Sequence, residues 1–555
     1  MALPPSPWIS QLRPWQEEAF QAISQHNSTN FLAVATPGAG KTRLALRVAH
    51  DGLTSGRADR IVVVCPTTHL RSQWAKAAHL EGLDLDPTSS NQEDREAKDF
   101  HGLATTYQQV CLEPKRYRAQ SLRAKTLVIF DEIHHAGEGK EWGDALQVAF
   151  DPAIQRLLLS GTPFRTDENP IPYVRYDTNS RSIANFQYGY PEALRDHVCR
   201  PVIFPSYEGE LAWTSRGETV EATFKDGIKK TWRRERLRAA LLQESWLGEV
   251  IHDANERLTS VRTAGHDNAG GLIVSMTQSH ARNIATLVQQ ITGERAQVAV
   301  SDDPTANRTI QKFSQGRQRW LVAVNMVSEG VDIPRLRVGV YATNVLTEMY
   351  FRQVVGRFVR VNDDGGKDGK SYLYISQDPT IVSYAKQITQ ERNHALGDQS
   401  SLFEVSLPPP IRQTTGQEDD FAPLEGIAHA DEWIGGTFFL THPEVHESQQ
   451  DFFRASSSDS DTVPAEAPDA SHVSAPSPEP ELSLFEQKAQ LRDRHKQLVS
   501  QLTRRERLDP WQVNAALKDA TGVAINQATV TQLKKRLQLL ERWNARGFSK
   551  SRPQR

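Results

Sequence analysis

FLAVATPGAGKTRLALRVAH, at residues 31–50, joins a short apolar run to a glycine-containing loop and then to a helical pattern. This order of strand, loop and helix is the context that a phosphate-binding loop requires. Gly38 and Gly40 let backbone N–H groups approach a phosphate without interference from a Cβ atom. The helix predicted to start at Lys41 directs the positive end of its dipole towards the same anion. Ala35 stands where a first glycine is usual, but alanine is small enough for the turn.

The loop predicts a nucleoside triphosphate, ATP, and a magnesium ion as ligands. Lys41 can reach the β and γ phosphates, and the hydroxyl of Thr42 can ligate Mg²⁺. A glycine-rich turn that contains a lysine by chance is the alternative, and the strand–loop–helix context argues against it. The predicted nucleotide-binding residues of the loop are Thr36, Pro37, Gly38, Ala39, Gly40, Lys41 and Thr42.

A second motif, TLVIFDEIHHAG at residues 126–137, places two acids at the end of an apolar run. Asp131 can hold Mg²⁺ through water, while Glu132 can orient or deprotonate an attacking water. A solvated strand end is the alternative, and the phosphate loop upstream favours the catalytic interpretation. His134 and His135 are not accompanied by a further Cys/His cluster of the kind that a zinc site needs. We therefore predict that His134 is a polar relay between the nucleotide and a second domain.

Short apolar runs, many of them β-branched, recur along the chain and alternate with helical patterns. Apolar runs without polar alternation are typical of parallel strands that helices bury on both faces. Two sets of such runs, separated by a helix-rich stretch, predict two α/β domains. The front set lies at 31–35, 61–65, 126–130 and 156–160, and the rear set at 271–275, 297–300, 320–324, 338–342 and 371–376.

The composition is typical of a multidomain globular chain of 555 residues. No apolar run approaches the roughly 18 residues needed to cross a bilayer, and the N-terminus lacks the pattern of a secretory signal. The three cysteines, Cys65, Cys111 and Cys199, are far apart. This spacing argues against a disulfide framework or a structural zinc site, so we expect a cytoplasmic protein.

The C-terminal part of the chain changes composition twice. Residues 455–484 are rich in Ser, Pro and acids, which predicts a disordered linker. From Lys488 to Arg555 there are 16 Lys and Arg against 5 Asp and Glu, although the whole chain has a net charge of -3. This basic stretch predicts a helical module that binds nucleic acid or a protein partner, and a solvated helical surface is the alternative. Apolar residues three and four apart predict an amphipathic helix within 527–543.

Taken together, the motifs resemble those of the DExH-type superfamily 2 helicases, which are DEAD/DEAH-box-like, and they occur in that family's order over residues 11–376. The resemblance implies an α/β fold of two tandem RecA-like P-loop NTPase domains, with parallel sheets that carry helices on both faces, plus a small α-helical C-terminal module. It also implies a nucleic-acid-dependent ATP hydrolase. In LRPWQEEA, Gln16 stands where this family uses a glutamine to contact adenine; a surface helix residue is the alternative.

Further front-half residues acquire predicted roles from the resemblance. The segments CPTTHLRSQW and ATTYQQV resemble nucleic-acid contacts, in which hydroxyls at helix N-termini hold the sugar–phosphate backbone. The segment SGTPFR resembles the motif that couples the phosphate state to the grip on the strand. The residues in matching places are Thr67 and Thr106 for nucleic acid, and Ser160 and Thr162 for coupling.

The rear half resembles the family at two motifs that complete the site. In VNMVSEGVDIPRL, Gly330 and Asp332 match residues that contact ribose and backbone. In FRQVVGRFVR, which resembles the arginine-finger helix, Gln353, Arg357 and Arg360 are spaced to share one helix face. Guanidiniums on that face could neutralise charge on the γ-phosphoryl group, an effect of roughly 10³–10⁵ in rate for known arginine fingers. A basic surface helix is the alternative.

The motifs are most similar to those of DNA-repair, phage recombination and restriction-motor helicases, so DNA is favoured over RNA as the partner. The alternatives are an RNA helicase, and the motor of a restriction or defence complex that remodels protein–DNA complexes without unwinding. An adaptor that uses ATP only as a switch is a third hypothesis, and the full set of acidic and arginine residues argues against it. The predicted domains are 1–180 (ATP-binding RecA-like), 181–265 (helix-rich connector), 266–400 (second RecA-like), 401–454 (extension), 455–484 (linker) and 485–555 (basic helical module).

Overall fold

The computed structural model describes two α/β lobes and a C-terminal group of helices. The residues described are 5–89, 99–137, 140–161, 170–215, 218–228, 230–300, 302–303, 305–324, 333–361, 369–396, 421–434 and 482–548. Within these ranges, no helix is both long enough and apolar enough to cross a membrane.

Seven strands form the sheet of the front lobe. In chain order they are β1 (Asn30–Ala35), β2 (Arg60–Cys65), β3 (Leu85–Asp86), β4 (Gly102–Thr106), β5 (Thr126–Phe130), β6 (Gln155–Ser160) and β7 (Phe186–Tyr188). Their spatial order is β3-β4-β2-β5-β6-β1-β7, and all neighbours are parallel. In β1, Leu32 and Val34 join one apolar core, while Phe31 and Ala33 join the other. Both faces of the sheet are therefore buried, as the unbroken apolar runs predict.

Helices connect these strands and supply the opposing walls of the two cores. They are α1 (Pro14–Gln25), α2 (Lys41–Thr54), α3 (Thr68–Leu80), α4 (Tyr107–Leu112), α5 (Pro114–Arg123) and α6 (Lys140–Phe150), with a 3₁₀ turn at Ile133–Gly137. After β7, the helix α7 (Tyr190–Arg195) leads to the rear lobe and packs against it. Because β1, β2, β4 and β5 are parallel, the segments that follow them meet at one edge of the sheet. That edge carries the phosphate loop and the acidic motif.

The rear lobe is built on a second, mixed sheet. Its strands are β8 (Val202–Ser215), β9 (Glu218–Thr223), β10 (Gly270–Ser275), β11 (Gln297–Ala299), β12 (Trp320–Val324), β13 (Leu336–Ala342), β14 (Ser371–Ser376) and β15 (Phe421–Ile434). The order is β11-β12-β10-β13-β14-β8-β15, with β9 paired to β8. The pairs from β11 to β8 are parallel, whereas β9 and β15 run antiparallel to β8. The helices of this lobe are α8 (Lys230–Leu242), α9 (Glu244–Thr263), α10 (Gln278–Thr292), α11 (Ala306–Gln315), α12 (Glu348–Phe358) and α13 (Pro379–Leu396).

The predicted fold class is confirmed, and all nine apolar runs coincide with parallel strands. The segment 181–265, expected to be a helix-rich connector, also supplies β7 to the front sheet and both β8 and β9 to the rear sheet. The sequence of β8 mixes polar with apolar residues, so it lacks the continuous apolar run by which nine of the strands were predicted. Of the extension 401–454 the structure describes 421–434, and the linker predicted at 455–484 lies almost wholly outside the described residues. The domain boundaries stay predictions.

The C-terminal module is helical, as predicted, and its described residues form three α-helices. They are α14 (Leu484–Glu506), α15 (Pro510–Thr521) and α16 (Val530–Arg546). The amphipathic spacing in α16 buries Leu533, Leu537 and Leu540, while Val530 is half-buried. The shared core of the three helices consists of Leu498, Val499, Leu502, Val513, Leu517, Leu537, Leu540 and Trp543.

His495, buried in α14, makes the stability of this module depend on pH. Burial and the nearby Arg536 guanidinium lower the pKa of His495 from 6.5 to about 4. Between these two values the folded chain binds fewer protons than the unfolded chain. We therefore expect the free energy of unfolding to fall as the pH drops from 6.5 towards 4, by at most about 3 kcal/mol.

Thermal unfolding at a series of pH values through this window measures that loss. His495→Gln removes the titrating group and should flatten the dependence on pH. The same dependence in both proteins would assign the loss of stability to other groups.

Candidate functional site

The phosphate loop adopts a conformation that glycine makes accessible. Gly38 and Gly40 have φ angles of +85° and +100°, in the left-handed region that other residues rarely adopt. Gly40 is the N-cap of α2, and it has no side chain to cap the helix. The N–H groups of the first turn of α2 are therefore suited to an anion.

Two side chains from the start of the chain brace this loop. Arg13 donates from Nη1 to the carbonyl of Ala39 at 2.8 Å, and Gln16 donates from Nε2 to the carbonyl of Gly40 at 2.9 Å. The Gln16 Oε1 accepts from the backbone N–H of Arg13 at 2.8 Å, so both side chains are held together. The sequence did not point to Arg13. The contact of Gln16 with adenine stays a prediction, and a cavity of about 280 Å³ adjoins these residues. It is lined by Arg13, Gln16, Gly38, Gly40, Thr42, Arg43, Leu46, Ala77, Leu80 and Glu81.

Lys41 and Glu132 meet at the mouth of the loop. Lys41 Nζ lies 3.4 Å from Glu132 Oε1 and donates to the carbonyl of Ala35 at 3.1 Å. The other oxygen of Glu132, Oε2, accepts from the backbone N–H of Gly161 at 3.0 Å. Burial by itself raises the pKa of Glu132, but Lys41, His134 and the Gly161 N–H outweigh it and hold that pKa at about 2. Glu132 is therefore a carboxylate that can accept a proton or a hydrogen bond.

Glu132 also has a strained backbone. Its φ angle is +49°, which is uncommon for a residue with a Cβ atom. Strain of this kind persists where the surroundings fix the residue, and it is concentrated at functional sites. The bonds that Glu132 makes to Lys41 and Gly161 provide such fixation.

Asp131 is buried beside Glu132. Its Oδ2 accepts from Trp74 Nε1 at 2.8 Å, which fixes the orientation of the carboxyl group. Burial and the charge of Glu132 raise the pKa of Asp131 to about 6. Carboxylate and hydroxyl oxygens are ligands that Mg²⁺ prefers, so Asp131 and the half-buried Thr42 fit that ion. A bound divalent cation would favour the ionised form of Asp131.

His134 connects the acidic motif to the rear lobe. His134 Nδ1 lies 3.4 Å from Ser160 Oγ and 3.6 Å from Glu132 Oε2. On its other side, His134 Nε2 lies 3.2 Å from Gln353 Nε2, on α12 of the rear lobe. The structure thus brings together three residues that the sequence proposed for coupling and catalysis, namely His134, Ser160 and Gln353.

The C-terminal end of α12 packs directly on the phosphate loop. A Cβ atom on Gly356 would lie 2.5 Å from Pro37 Cβ, so a glycine is needed for this approach. A Cβ atom on Gly38 would lie 3.0 Å from Arg360 Cγ. The side chain of Arg360, from the rear lobe, is therefore in contact with the loop that precedes Lys41.

The prediction that Gln353, Arg357 and Arg360 share one helix face is wrong for Arg360. The helix α12 ends at Phe358, and Arg360 forms an isolated antiparallel bridge with Cys199. The carbonyl of Val359 accepts from the backbone N–H of Arg200 at 2.7 Å, so the chain pairs with that segment and leaves the helix. Gln353 and Arg357 lie on α12.

Cys199 is a further contact of the loop that the sequence did not indicate. Its Sγ lies 3.8 Å from the carbonyl of Pro37, to which the thiol can donate. The same residue pairs with Arg360 through the backbone. Only its isolation from other cysteines was apparent in the sequence, because the contact depends on how the chain returns to the loop.

The hydroxyls of Thr67 and Thr106 lie at the N-termini of α3 and α4, as predicted. Thr67 Oγ1 accepts from Leu70 N at 3.3 Å, and Thr106 Oγ1 accepts from Gln109 N at 3.2 Å. Both side chains are thus helix caps. A hydroxyl that accepts in a cap retains its own proton for donation. The nucleic-acid contacts of these two residues stay predictions.

Three other predicted residues, Thr162, Gly330 and Asp332, lie outside the described residues. The roles proposed for these three residues stay predictions.

Two family models match the parts of the chain that form this site. Residues 9–165 match the model described as "Type III restriction enzyme, res subunit". Residues 255–362 match the model described as "Helicase conserved C-terminal domain". The two matches cover most of the front lobe and the portion of the rear lobe that carries α12.

Comparison with curated proteins and solved structures gives relatives over much of the chain. An uncharacterised protein of Mycobacterium tuberculosis is 41% identical over 455 residues, covering 80% of this chain and 75% of the relative. The DNA 3'-5' translocase XPB2 of Sulfurisphaera tokodaii is 24% identical over 378 residues, covering 64% of this chain and 79% of the translocase. A fragment of an HsdR subunit of a type I restriction enzyme from Vibrio vulnificus aligns with a TM-score of 0.49 at 16% identity, covering 68% of this chain and 67% of the fragment.

Proposed function

The chain belongs to the superfamily 2 helicases, and on that premise we propose that it couples ATP hydrolysis to movement along a DNA strand. The observation that carries the proposal is the contact across the cleft. Arg360 of the rear lobe lies against Gly38 of the phosphate loop, one of the residues predicted to hold the phosphates. Groups from both lobes can therefore act on one nucleotide.

In the proposed site, the loop N–H groups and Lys41 hold the β and γ phosphates. Mg²⁺, held by Thr42 and Asp131, would neutralise phosphate charge. Glu132 is the group that orients the attacking water, because its low pKa keeps it ionised and able to accept a hydrogen bond. Arg357 and Arg360 supply positive charge from the rear lobe, where negative charge develops on the γ-phosphoryl oxygens.

Movement would follow from the dependence of that contact on the γ-phosphate. Desolvating a guanidinium is costly, and an anion in the cleft offsets the cost. ATP would therefore favour the closed arrangement of the lobes, and hydrolysis would remove the attraction that holds them. If each lobe grips the strand in turn, every cycle advances the protein along it.

DNA is the favoured track. In support, one curated relative is described as a DNA translocase, and the front lobe matches a model drawn from restriction enzymes. An RNA helicase, and a motor that remodels protein–DNA complexes without separating strands, are the alternatives.

ATP turnover by the full chain, measured with no nucleic acid, with single-stranded DNA, with duplex DNA and with RNA, tests the proposal. We expect DNA to stimulate turnover most. If RNA stimulates turnover more than DNA does, RNA is the nucleic acid on which the protein moves. If no nucleic acid changes turnover, the proposal that the chain is a nucleic-acid motor is contradicted. A strand-displacement assay then separates unwinding from translocation alone.

The contact between His134 and Gln353 predicts energetic coupling between the lobes. Each residue is replaced by alanine, singly and together, and ATP turnover is measured at saturating DNA. Because one hydrogen bond joins the two side chains, we expect a coupling energy of about 0.5–3 kcal/mol in this cycle. Thr286 and Thr259, hydroxyl residues of the rear lobe that bond backbone carbonyls of their own helices, provide the control pair. Additive effects of the His134 and Gln353 replacements would exclude the relay.

A further inference from the structure

Asp99, in the front lobe, anchors the C-terminal module, and the end of the module that Asp99 holds is its root. Asp99 Oδ1 accepts from Lys488 Nζ at 2.6 Å, and Oδ2 accepts from Val530 N, the first N–H of α16, at 3.1 Å. The ammonium of Lys488 also lies 4.3 Å from the centre of the Phe100 ring, and Lys488 is 1% exposed. One carboxylate thus binds the beginnings of both α14 and α16.

The two helices run side by side away from this root. At their far ends, Arg505 donates from Nη2 to the carbonyl of Trp543 at 3.0 Å and also bonds the carbonyl of Asn544. The intervening α15 returns towards the root, where Arg536 donates to Thr521 Oγ1 at 3.1 Å. At a rise of about 1.5 Å per residue, Arg505 lies roughly 26 Å along α14 from Lys488. The module is an arm with a fixed root and a distal tip.

The tip carries an exposed tryptophan that follows a group of arginines in the sequence. Trp511, at the start of α15, is 68% exposed. Arg504 and Arg507, at the end of α14, and Arg542 and Arg546, at the end of α16, are exposed as well. Of the acidic residues at this end, Glu506 pairs with Arg505, whereas Asp509 and Glu541 are exposed.

We propose that this tip, defined by Arg504, Arg507 and Trp511, is a second contact for single-stranded nucleic acid, with a base stacked on the indole and phosphates held by the guanidiniums. The inference rests on the proposed function, because it concerns the strand on which the motor acts. Aromatic rings that accept unstacked bases, flanked by basic side chains, are the general means by which proteins bind single strands without reading sequence. Duplex DNA does not offer such a face, because its bases are already stacked.

The composition of the surface favours a nucleic acid over a protein. Among the described residues of the module, the large apolar side chains that are well exposed are Trp511 at the tip and Leu482 near the root. A protein interface requires a contiguous apolar centre, and a single ring among cations does not provide one.

Binding of the full chain to a fluorescently labelled oligothymidylate tests the tip, with fluorescence anisotropy as the readout. Trp511→Ala should weaken binding roughly 5- to 150-fold, the range for loss of one stacked base, while Trp511→Phe should restore most of it. The double variant Arg504→Ala/Arg507→Ala should lower the slope of log K against log salt by roughly 1.4, since two phosphate contacts are lost. Lys496→Ala/Lys518→Ala removes the same charge from exposed positions of α14 and α15 away from the tip, and it should change the slope less.

Two results would overturn the proposal. One is that Trp511→Ala binds the oligonucleotide with the same affinity as the unmodified chain. The exposed indole would then be assigned to a protein partner. The other is that the tip pair and the control pair change the salt dependence of binding equally. The arm would then attract nucleic acid only through its overall positive charge. Basal ATP turnover is measured in parallel. If the unmodified chain binds the oligonucleotide but ATP turnover does not change on binding, the proposed motor function is contradicted while the proposed tip contact is not.

Discussion

Replacing Arg360 with alanine is expected to lower the turnover number for ATP by roughly 10³–10⁵-fold, the range known for arginine fingers. Arg360 is a rear-lobe arginine whose side chain contacts the phosphate loop, at Gly38. Its guanidinium is proposed to act where charge develops on the γ-phosphoryl group, in a cleft where electrostatic interactions are stronger than in water. Steady-state ATP turnover at saturating single-stranded DNA measures the effect.

Two variants control this result. Arg360→Lys keeps the charge but loses the planar fork of donors, so we expect partial activity. Arg282→Ala removes an exposed arginine of α10 that pairs with Asp302, and it should leave turnover within about twofold because exposed ion pairs contribute little. If Arg360→Ala hydrolyses ATP as fast as Arg282→Ala, the rear lobe does not contribute this arginine to the reaction.

Replacing Lys41 with alanine is expected to lower ATP turnover by roughly 10²–10³-fold or more, as loss of a preorganised donor does. Lys41 begins α2 and lies 3.4 Å from Glu132, so it stands between the loop and the carboxylate that is proposed to orient water. Binding of single-stranded DNA should persist, because the predicted strand contacts, Thr67 and Thr106, belong to other helices. Turnover and anisotropy of labelled DNA are measured on the same preparation.

Lys125→Ala is the matched control, since Lys125 is an exposed lysine of the front lobe. It should retain turnover. Substantial hydrolysis by Lys41→Ala would contradict the assignment of the loop. Loss of DNA binding together with turnover would instead indicate that the front lobe no longer folds.

Nine of the parallel strands were predictable because burial on both faces leaves a continuous apolar run, as in β2 and β5. The phosphate loop and the acids were predictable because each stands directly after such a run. The strand β8 escaped prediction because it has both parallel and antiparallel partners: β14 is parallel to its first half, β9 is antiparallel to its second half, and β15 runs antiparallel along most of its length. Such a strand requires mixed residues. Its partner β15 lies some 200 positions further along the chain, and pairing at that distance leaves no local pattern.

The contacts between the lobes were only partly predictable. The spacing of Gln353, Arg357 and Arg360 indicated a functional set, but the end of α12 is decided by a backbone bond between Val359 and Arg200. Arg13 and Cys199 were missed for the same reason, because each acts through a tertiary contact with the loop. The root of the C-terminal arm at Asp99 joins positions 389 apart in sequence and has no local signal.

A structure of the full chain with Mg²⁺ and a non-hydrolysable ATP analogue tests most directly whether residues of both lobes bind the same nucleotide. The γ-phosphate should lie within hydrogen-bond distance of Lys41 Nζ on one side and of an Arg357 or Arg360 guanidinium on the other. A γ-phosphate held by front-lobe groups alone, with both rear-lobe guanidiniums turned to solvent, would contradict it.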